Sequence, residues 1–153
     1  MMLAALAPAD VPEIMRIERL PGYDAYIHNW SAEEHLAELT SPDARYFGWR
    51  VAQGLAGFAV LQRYRKPMVR LRRLAVVEPG GGVGTVLLRG VIDGLFQATR
   101  AVAVDLHVKP GNDRARHVYA REGFLDGGDE DLLGEGMILT RGAWAALPRR
   151  AGG

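Results

Sequence analysis

The stretch Leu71-Arg72-Arg73-Leu74-Ala75-Val76-Val77-Glu78-Pro79-Gly80-Gly81-Gly82-Val83-Gly84-Thr85 decides the fold. Its first half is β-prone and ends on Leu74-Ala75-Val76-Val77, apolar on both faces, as a strand buried on both sides reads. Its second half is glycine-rich. The residues after it, 84 to 98, read as a helix in which Val86, Leu87, Leu88, Val91, Ile92, Leu95 and Phe96 leave only Arg89 and Asp93 charged, so most of its sides are buried. Strand, glycines, helix is the order in which backbone N–H groups converge on an anion at a helix N-terminus, and phosphate is the natural guest. Glycines let the backbone approach a ligand closely and take positive φ at little steric cost. The segment is neither a P-loop, since Thr85-Val86-Leu87 replaces the lysine and hydroxyl, nor a full G-x-G-x-x-G, since Leu87 stands three after Gly84. On these residues alone a purely structural glycine turn stays open.

Working outward, the upstream chain reads as a first strand over Met1 to Ala7, then a short helix with Asp10 as N-cap and Glu13 three residues on, ending before Pro21-Gly22. Ser31 and Glu34 repeat the capping-box spacing, predicting a second helix over 31 to 40. Between them lies an aromatic loop with Tyr23, Tyr26 and Trp30. From Arg45 the period becomes two, with Phe47, Trp49 and Val51 on one face and Tyr46, Gly48 and Arg50 on the other. A turn at Gln53-Gly54, a strand over Gly57 to Tyr64, a turn at Arg65-Lys66-Pro67 and a strand over Val69 to Val77 complete an antiparallel meander. Downstream, Ala101 to Val108 alternates as a strand and a short helix runs from Asn112 or Asp113 to Glu122. Gly123 stands where a left-handed C-cap belongs, and strands follow over Phe124 to Asp126 and Leu132 to Thr140. The predicted order is β-α-α-β-β-β-α-β-α-β-β, an α/β fold with a mixed sheet and helices on both faces. We expect one domain over residues 1–145 and a short flexible tail over 146–153.

Composition narrows the function classes. The 153 residues carry nineteen Lys and Arg against eighteen Asp and Glu, a net charge of +1, which lacks the global positive field of a non-specific nucleic-acid binder. The basic run Arg63, Arg65, Lys66, Arg70, Arg72 and Arg73 and the acidic run Asp126 to Glu135 read as solvated hairpin edges. No cysteine is present, which rules out a disulfide framework and thiolate chemistry and points to a reducing compartment, hence a cytoplasmic location. The apolar N-terminal run is cut short by Pro8, Asp10 and Glu13, too early for a signal or membrane span, so no membrane partner is expected. His28, His35, His107 and His117 show no metal-ligand spacing, and no metal is assigned.

In the helix after Asn112, seven residues advance the direction by about 700°, about 20° short of two turns, so Asn112, Ala115 and Tyr119 share one face. An amide and a phenol then look the same way past a small alanine. Here Leu71 to Val76 leading into Pro79 to Thr85, together with Leu106-His107-Val108-Lys109-Pro110-Gly111-Asn112 running to Ala115, Tyr119 and Gly123-Phe124, resembles the GCN5-related N-acetyltransferase (GNAT) family. The resemblance covers residues 3 to 140 and implies the GNAT fold, with a mixed central sheet of six to seven strands. It also implies acetyl-CoA as cosubstrate. By that resemblance Gly80, Gly82, Gly84 and Thr85 bind the CoA pyrophosphate through backbone amides, Leu74 and Val76 pair with the pantetheine arm, and Asn112 contacts that arm. Tyr119 is the expected acid for the departing thiolate. One departure stands out: the family usually places Arg or Gln where this chain has Pro79, so the loop holds phosphate chiefly by its backbone, or another basic residue substitutes.

The implied reaction sends a primary amine of a small molecule or peptide against the thioester in a ternary complex, and an alkylammonium must first lose a proton. His107 is the leading base, at the position where ribosomal-protein N-terminal acetyltransferase relatives carry glutamate. Asp105 lies two residues earlier to bias the ring, and Glu18 or water is the alternative base. Acceptor specificity is expected from Tyr23, Tyr26, His28 and Trp30, with Tyr46 and Trp49 as further candidates or as core. The alternative function is a non-catalytic acyl-CoA-binding sensor or interaction module of the same fold. A homodimer is expected by analogy alone.

Overall fold

The computed structural model describes residues 2–23, 28–128 and 134–148. Seven strands form one sheet in the order β1-β2-β3-β4-β5-β7-β6, namely β1 Met2–Ala5, β2 Arg45–Val51, β3 Gly54–Gln62, β4 Met68–Val76, β5 Ala103–Val108, β6 Leu125–Asp126 and β7 Glu135–Thr140. Each neighbouring pair is antiparallel except β4 with β5, which is parallel. The helices are α1 Val11–Glu18, α2 Ala32–Leu39, α3 Val83–Ala98, α4 Asp113–Arg121 and α5 Arg141–Ala145, and a 3-10 turn over Pro8–Asp10 leads into α1. Mixed sheet, helices on both faces and element order match the sequence expectation, with α5 and the 3-10 turn added.

Two apolar cores result. On one face Leu87, Leu88, Val91, Leu95 and Phe96 of α3 pack on Ala59, Leu61, Leu71, Val104 and Leu106, joined by Ala115, Val118 and Tyr119 from α4. On the other, Ile14 and Ile17 of α1 pack on Tyr46, Phe58, Val60 and Ala75. Burying a Leu- or Ile-sized side chain contributes about 1.5–3 kcal/mol, so these two layers drive the fold. No helix among the described residues is long and apolar enough to cross a membrane.

The caps illustrate what spacing can and cannot decide. Ser31 accepts from the Glu34 N–H at 3.1 Å and Glu34 accepts from the Ser31 N–H at 3.0 Å, the reciprocal capping box, and that N–H holds the Glu34 carboxyl below its ordinary pKa range. Asp10 and Glu13 have the same spacing yet form no such box. Asp10 accepts from the Ala7 N–H and from Arg50, both at 2.8 Å, and Glu13 accepts from the Leu55 N–H at 2.8 Å across the sheet end. At the other end, Arg141 donates to the carbonyls of Phe96, Thr99 and Ala101 at 2.7–2.8 Å, satisfying acceptors at and just beyond the C-terminal end of α3, and Trp144 donates to Asp93 at 2.8 Å. Residues 141–145 are therefore a docked helix.

The register between β3 and β4 slips by one: Val60 faces Arg73 while Leu61 faces Leu71, so Arg72 is an extra residue, a β-bulge. The bulge reverses the alternation along β4. Leu71 belongs to the α3 core, whereas Ala75, four residues on, belongs to the α1 core, and Arg73 turns inward with it. Arg63, Arg65 and Lys66 are exposed, as expected of a solvated hairpin edge, but that expectation is corrected for Arg73, which is 4% exposed.

Candidate active site

The parallel pairing of β4 with β5 covers only Met68, Val69 and Arg70 against Ala103, Val104 and Asp105. Arg70 closes that pairing with a bidentate ion pair to Asp105, Nε to Oδ1 at 2.9 Å and Nη2 to Oδ2 at 3.0 Å. Beyond it the two strands part, and a cleft of about 1290 Å³ runs between the edge of β4 from Leu71 to Val76 and the end of β5 from Leu106 to Val108, with Lys109 just past it. At the far end of β4 the cleft meets the glycine segment, and α4 forms its remaining wall.

The glycine segment has the geometry its composition requires. Gly80 and Gly82 take φ of +87° and +88°, left-handed values that a side chain would strain. Gly82 is the N-cap of α3, and its carbonyl accepts from the Val86 N–H at 3.2 Å, so the amides at the start of the helix lack intrahelical partners and open toward the cleft. Gly80, Gly82, Gly84 and Thr85 all line it.

The sequence singled out nine site residues, and every one lines this cleft: the four of the glycine segment, Leu74 and Val76 on β4, His107 on β5, and Asn112 and Tyr119 on α4. Asn112 is the N-cap of α4. Its Oδ1 accepts from the Ala115 N–H at 3.3 Å, which commits the carbonyl end of the amide to the helix and leaves the NH2 group as donor. Tyr119 packs edge-on against Phe124 at 5.6 Å between ring centroids. Burial, with a smaller contribution from nearby Tyr23, pushes its phenol pKa well above the ordinary tyrosine value, so it remains protonated across the neutral and mildly alkaline range. Gly123 after α4 takes φ of +100°, the left-handed C-cap read from the sequence.

Several expected partners are placed elsewhere. Asp105 is committed to Arg70 and not to the ring of His107. Glu18 is corrected as a candidate base: it is fully buried, with Oε2 accepting from Arg73 Nη1 at 2.5 Å and Oε1 from His35 Nε2 at 2.8 Å, while the Tyr46 hydroxyl bonds His35 Nδ1 at 2.8 Å. A carboxylate with both oxygens held in this way cannot reach a substrate ammonium. Tyr46 and Trp49 do not line the cleft; Tyr46 belongs to the α1 core and to this network, and Trp49 packs on the α3 core. Trp30 lies 3.8 Å beneath the Arg73 guanidinium, a cation–π contact. Tyr26 lies outside the described residues.

Two features were not foreseen. Arg73 also donates through Nη2 to the His28 carbonyl, so a buried charge anchors the chain that carries His28 into the cleft. The Tyr23 hydroxyl donates to the Val76 carbonyl at 2.8 Å and accepts from the Val76 N–H at 2.7 Å, capping the open edge of β4. The paired bonds span 53 positions, which no local pattern announces.

Among curated protein sequences none matches this chain. Its fold is shared by solved structures of low sequence identity. The ribosomal-protein-S18-alanine N-acetyltransferase from Escherichia coli is 21% identical, with a TM-score of 0.75 over 91% of this chain and 92% of that one. A variant spermidine N-acetyltransferase from Vibrio cholerae is 19% identical, with a TM-score of 0.78 over 95% and 98%. The PaiA N-acetyltransferase from Thermoplasma acidophilum, solved in complex with coenzyme A, is 19% identical, with a TM-score of 0.75 over 92% and 99%. The model of the acetyltransferase (GNAT) family matches residues 11–124, from the start of α1 to the end of the α4 cap, and this chain belongs to that family.

Proposed function

We propose that the protein is an acetyl-CoA-dependent N-acetyltransferase that moves an acetyl group onto a primary amine of a small molecule or peptide within a ternary complex. The observation that carries this reading is the parting of β4 and β5 after the Arg70–Asp105 pair. It opens one cleft along which an anion-binding glycine loop, an exposed strand edge and the Asn112–Tyr119 face follow one another. A long cofactor with phosphate at one end, an amide-bearing arm in the middle and a thioester at the other fits that sequence of groups. The family relatives named above are N-acetyltransferases for a ribosomal-protein alanine and for spermidine, which supports an amine as acceptor class.

The chain's own residues then divide the work. Amides of Gly80, Gly82, Gly84 and Thr85 hold the pyrophosphate at the start of α3. Main-chain groups of Leu74 and Val76 pair with the pantetheine arm, the Tyr23 hydroxyl giving way at Val76, and the Asn112 NH2 group donates to the same arm. The acetyl thioester supplies the electrophile. His107 takes a proton from the substrate ammonium; as the N–C bond forms and the C–S bond breaks, Tyr119 gives its proton to the departing sulfur, and the surplus proton on the new amide nitrogen passes to the Tyr119 phenolate and restores the phenol. Holding amine and thioester in one cleft supplies most of the acceleration, since positioning lowers barriers by as much as about 7–11 kcal/mol.

The test is release of CoA thiol from acetyl-CoA across a panel of primary amines. We expect release with at least one amine, and Tyr119→Phe to cut turnover about 10²-fold or more with CoA affinity nearly intact. Saturable CoA binding with no release from any amine would favour a non-catalytic acyl-CoA-binding module.

A further inference from the structure

We infer that Arg114, reaching across from α4, supplies the cationic contact to the cofactor diphosphate that the glycine loop itself lacks. The inference rests on the CoA-binding reading above. The loop begins with Pro79, which has neither a charged side chain nor an N–H to offer. A Cβ built on Gly80, the next residue, would lie 3.3 Å from Arg114 Nη2, so the guanidinium rests directly against the loop where it enters its left-handed turn. Arg114, Pro79 and Gly80 line the same cleft, and Arg114 is exposed to it.

The position of Arg114 in its helix makes a purely structural role a poor account. It stands in the first turn of α4, where the partial positive charge of the helix N-terminus disfavours a cation by a few tenths of a kcal/mol. The nearby arginines have other work: Arg116, two residues on, pairs with Asp126 and Glu135, and Arg121 lies in the last turn, where a cation is favoured. Arg114 instead crosses to the loop. A guanidinium there presents several N–H donors in a fixed fork matched to phosphate oxygens, adding direct charge to the backbone amides of Gly80 to Thr85. The glycine at position 80 is then needed twice: for its φ, and because a side chain would crowd the guanidinium.

The test measures dissociation constants by isothermal titration calorimetry for three probes: CoA, dephospho-CoA, which lacks only the 3′-phosphate, and pantetheine, which lacks the diphosphate and the adenosine as well. Arg114→Ala should weaken CoA and dephospho-CoA equally, by about tenfold, and leave pantetheine unchanged. Alanine is a better helix former than arginine, so the loss cannot be assigned to unfolding of α4. Adding Pro79→Arg to Arg114→Ala should recover part of the affinity by restoring a cation to the loop. An unchanged constant for CoA, a loss for CoA but not for dephospho-CoA, or an equal loss for pantetheine would each overturn the assignment. If CoA does not bind the unaltered protein, the CoA reading falls and this inference with it. If CoA binds and Arg114→Ala has no effect, only the inference falls.

Discussion

Replacing Tyr23 with phenylalanine should tighten cofactor binding, although the change removes two hydrogen bonds. The Tyr23 hydroxyl donates to the Val76 carbonyl at 2.8 Å and accepts from its N–H at 2.7 Å, and these are the main-chain groups assigned to the pantetheine arm. Both bonds must break before the arm can pair. A hydrogen bond contributes about 0.5–1.5 kcal/mol net of water, and the open cleft argues for the lower end, so the two together hold the edge of β4 closed by about 1 kcal/mol. Phenylalanine keeps the ring against the α1 core, while Val76 in the free protein falls back on water. The dissociation constant for CoA should therefore fall roughly fivefold, about 1 kcal/mol, by calorimetry. Binding that is unchanged or weaker would mean that the arm does not use Val76 or that the Tyr23 hydroxyl itself holds the cofactor, and either result overturns this role for Tyr23.

Other expectations follow from the same geometry. Glu18→Ala strands the buried Arg73 charge and the ring of His35, an uncompensated loss of about 3–5 kcal/mol. At about 2–4 °C per kcal/mol for a domain of this size, the melting temperature should drop by about 6–20 °C in a thermal scan, and a drop of under about 3 °C would mean that Arg73 finds water. Burial raises the phenol pKa of both Tyr46 and Tyr119 above the ordinary value of about 10, so the folded state holds these protons more tightly than the unfolded chain. Stability from this source is intact below pH of about 10 and falls as pH rises above it; melting temperatures from pH 8 to 11 should show the loss, flattened in Tyr46→Phe. If His107 is the base, His107→Ala should abolish the acid limb of the pH–rate profile, and an unaltered limb would remove it from that role.

The legible parts of this fold are those set by local chemistry. The Ser31 box, the left-handed Gly123 and the common face of Asn112 and Tyr119 depend on residues a few positions apart, and each forms as read. Asp10 and Glu13 show where that logic stops, because partners from other strands, Arg50 and the Leu55 N–H, compete for both carboxylates. The bulge at Arg72 leaves no mark in composition, so the run Arg70-Leu71-Arg72-Arg73 hides the fact that Arg73 turns inward to meet Glu18. Tyr46 and Trp49 are correctly on opposite faces of β2, but helices cover both faces, which makes both residues core. At five residues, α5 is too short to show a period, and its anchor is Arg141 reaching carbonyls some forty positions back. The cleft itself is a product of strands separating, which only the assembled sheet displays.

The most direct test of the central claim compares thiol release from acetyl-CoA by the unaltered protein and by Tyr119→Phe, each with the same panel of primary amines and with CoA affinity measured alongside. Amine-dependent release is expected from the unaltered protein, with a loss of about 10²-fold or more in the variant at nearly equal affinity. Equal release by both proteins would contradict the assignment of Tyr119, and no release by either would contradict acetyl transfer in this cleft.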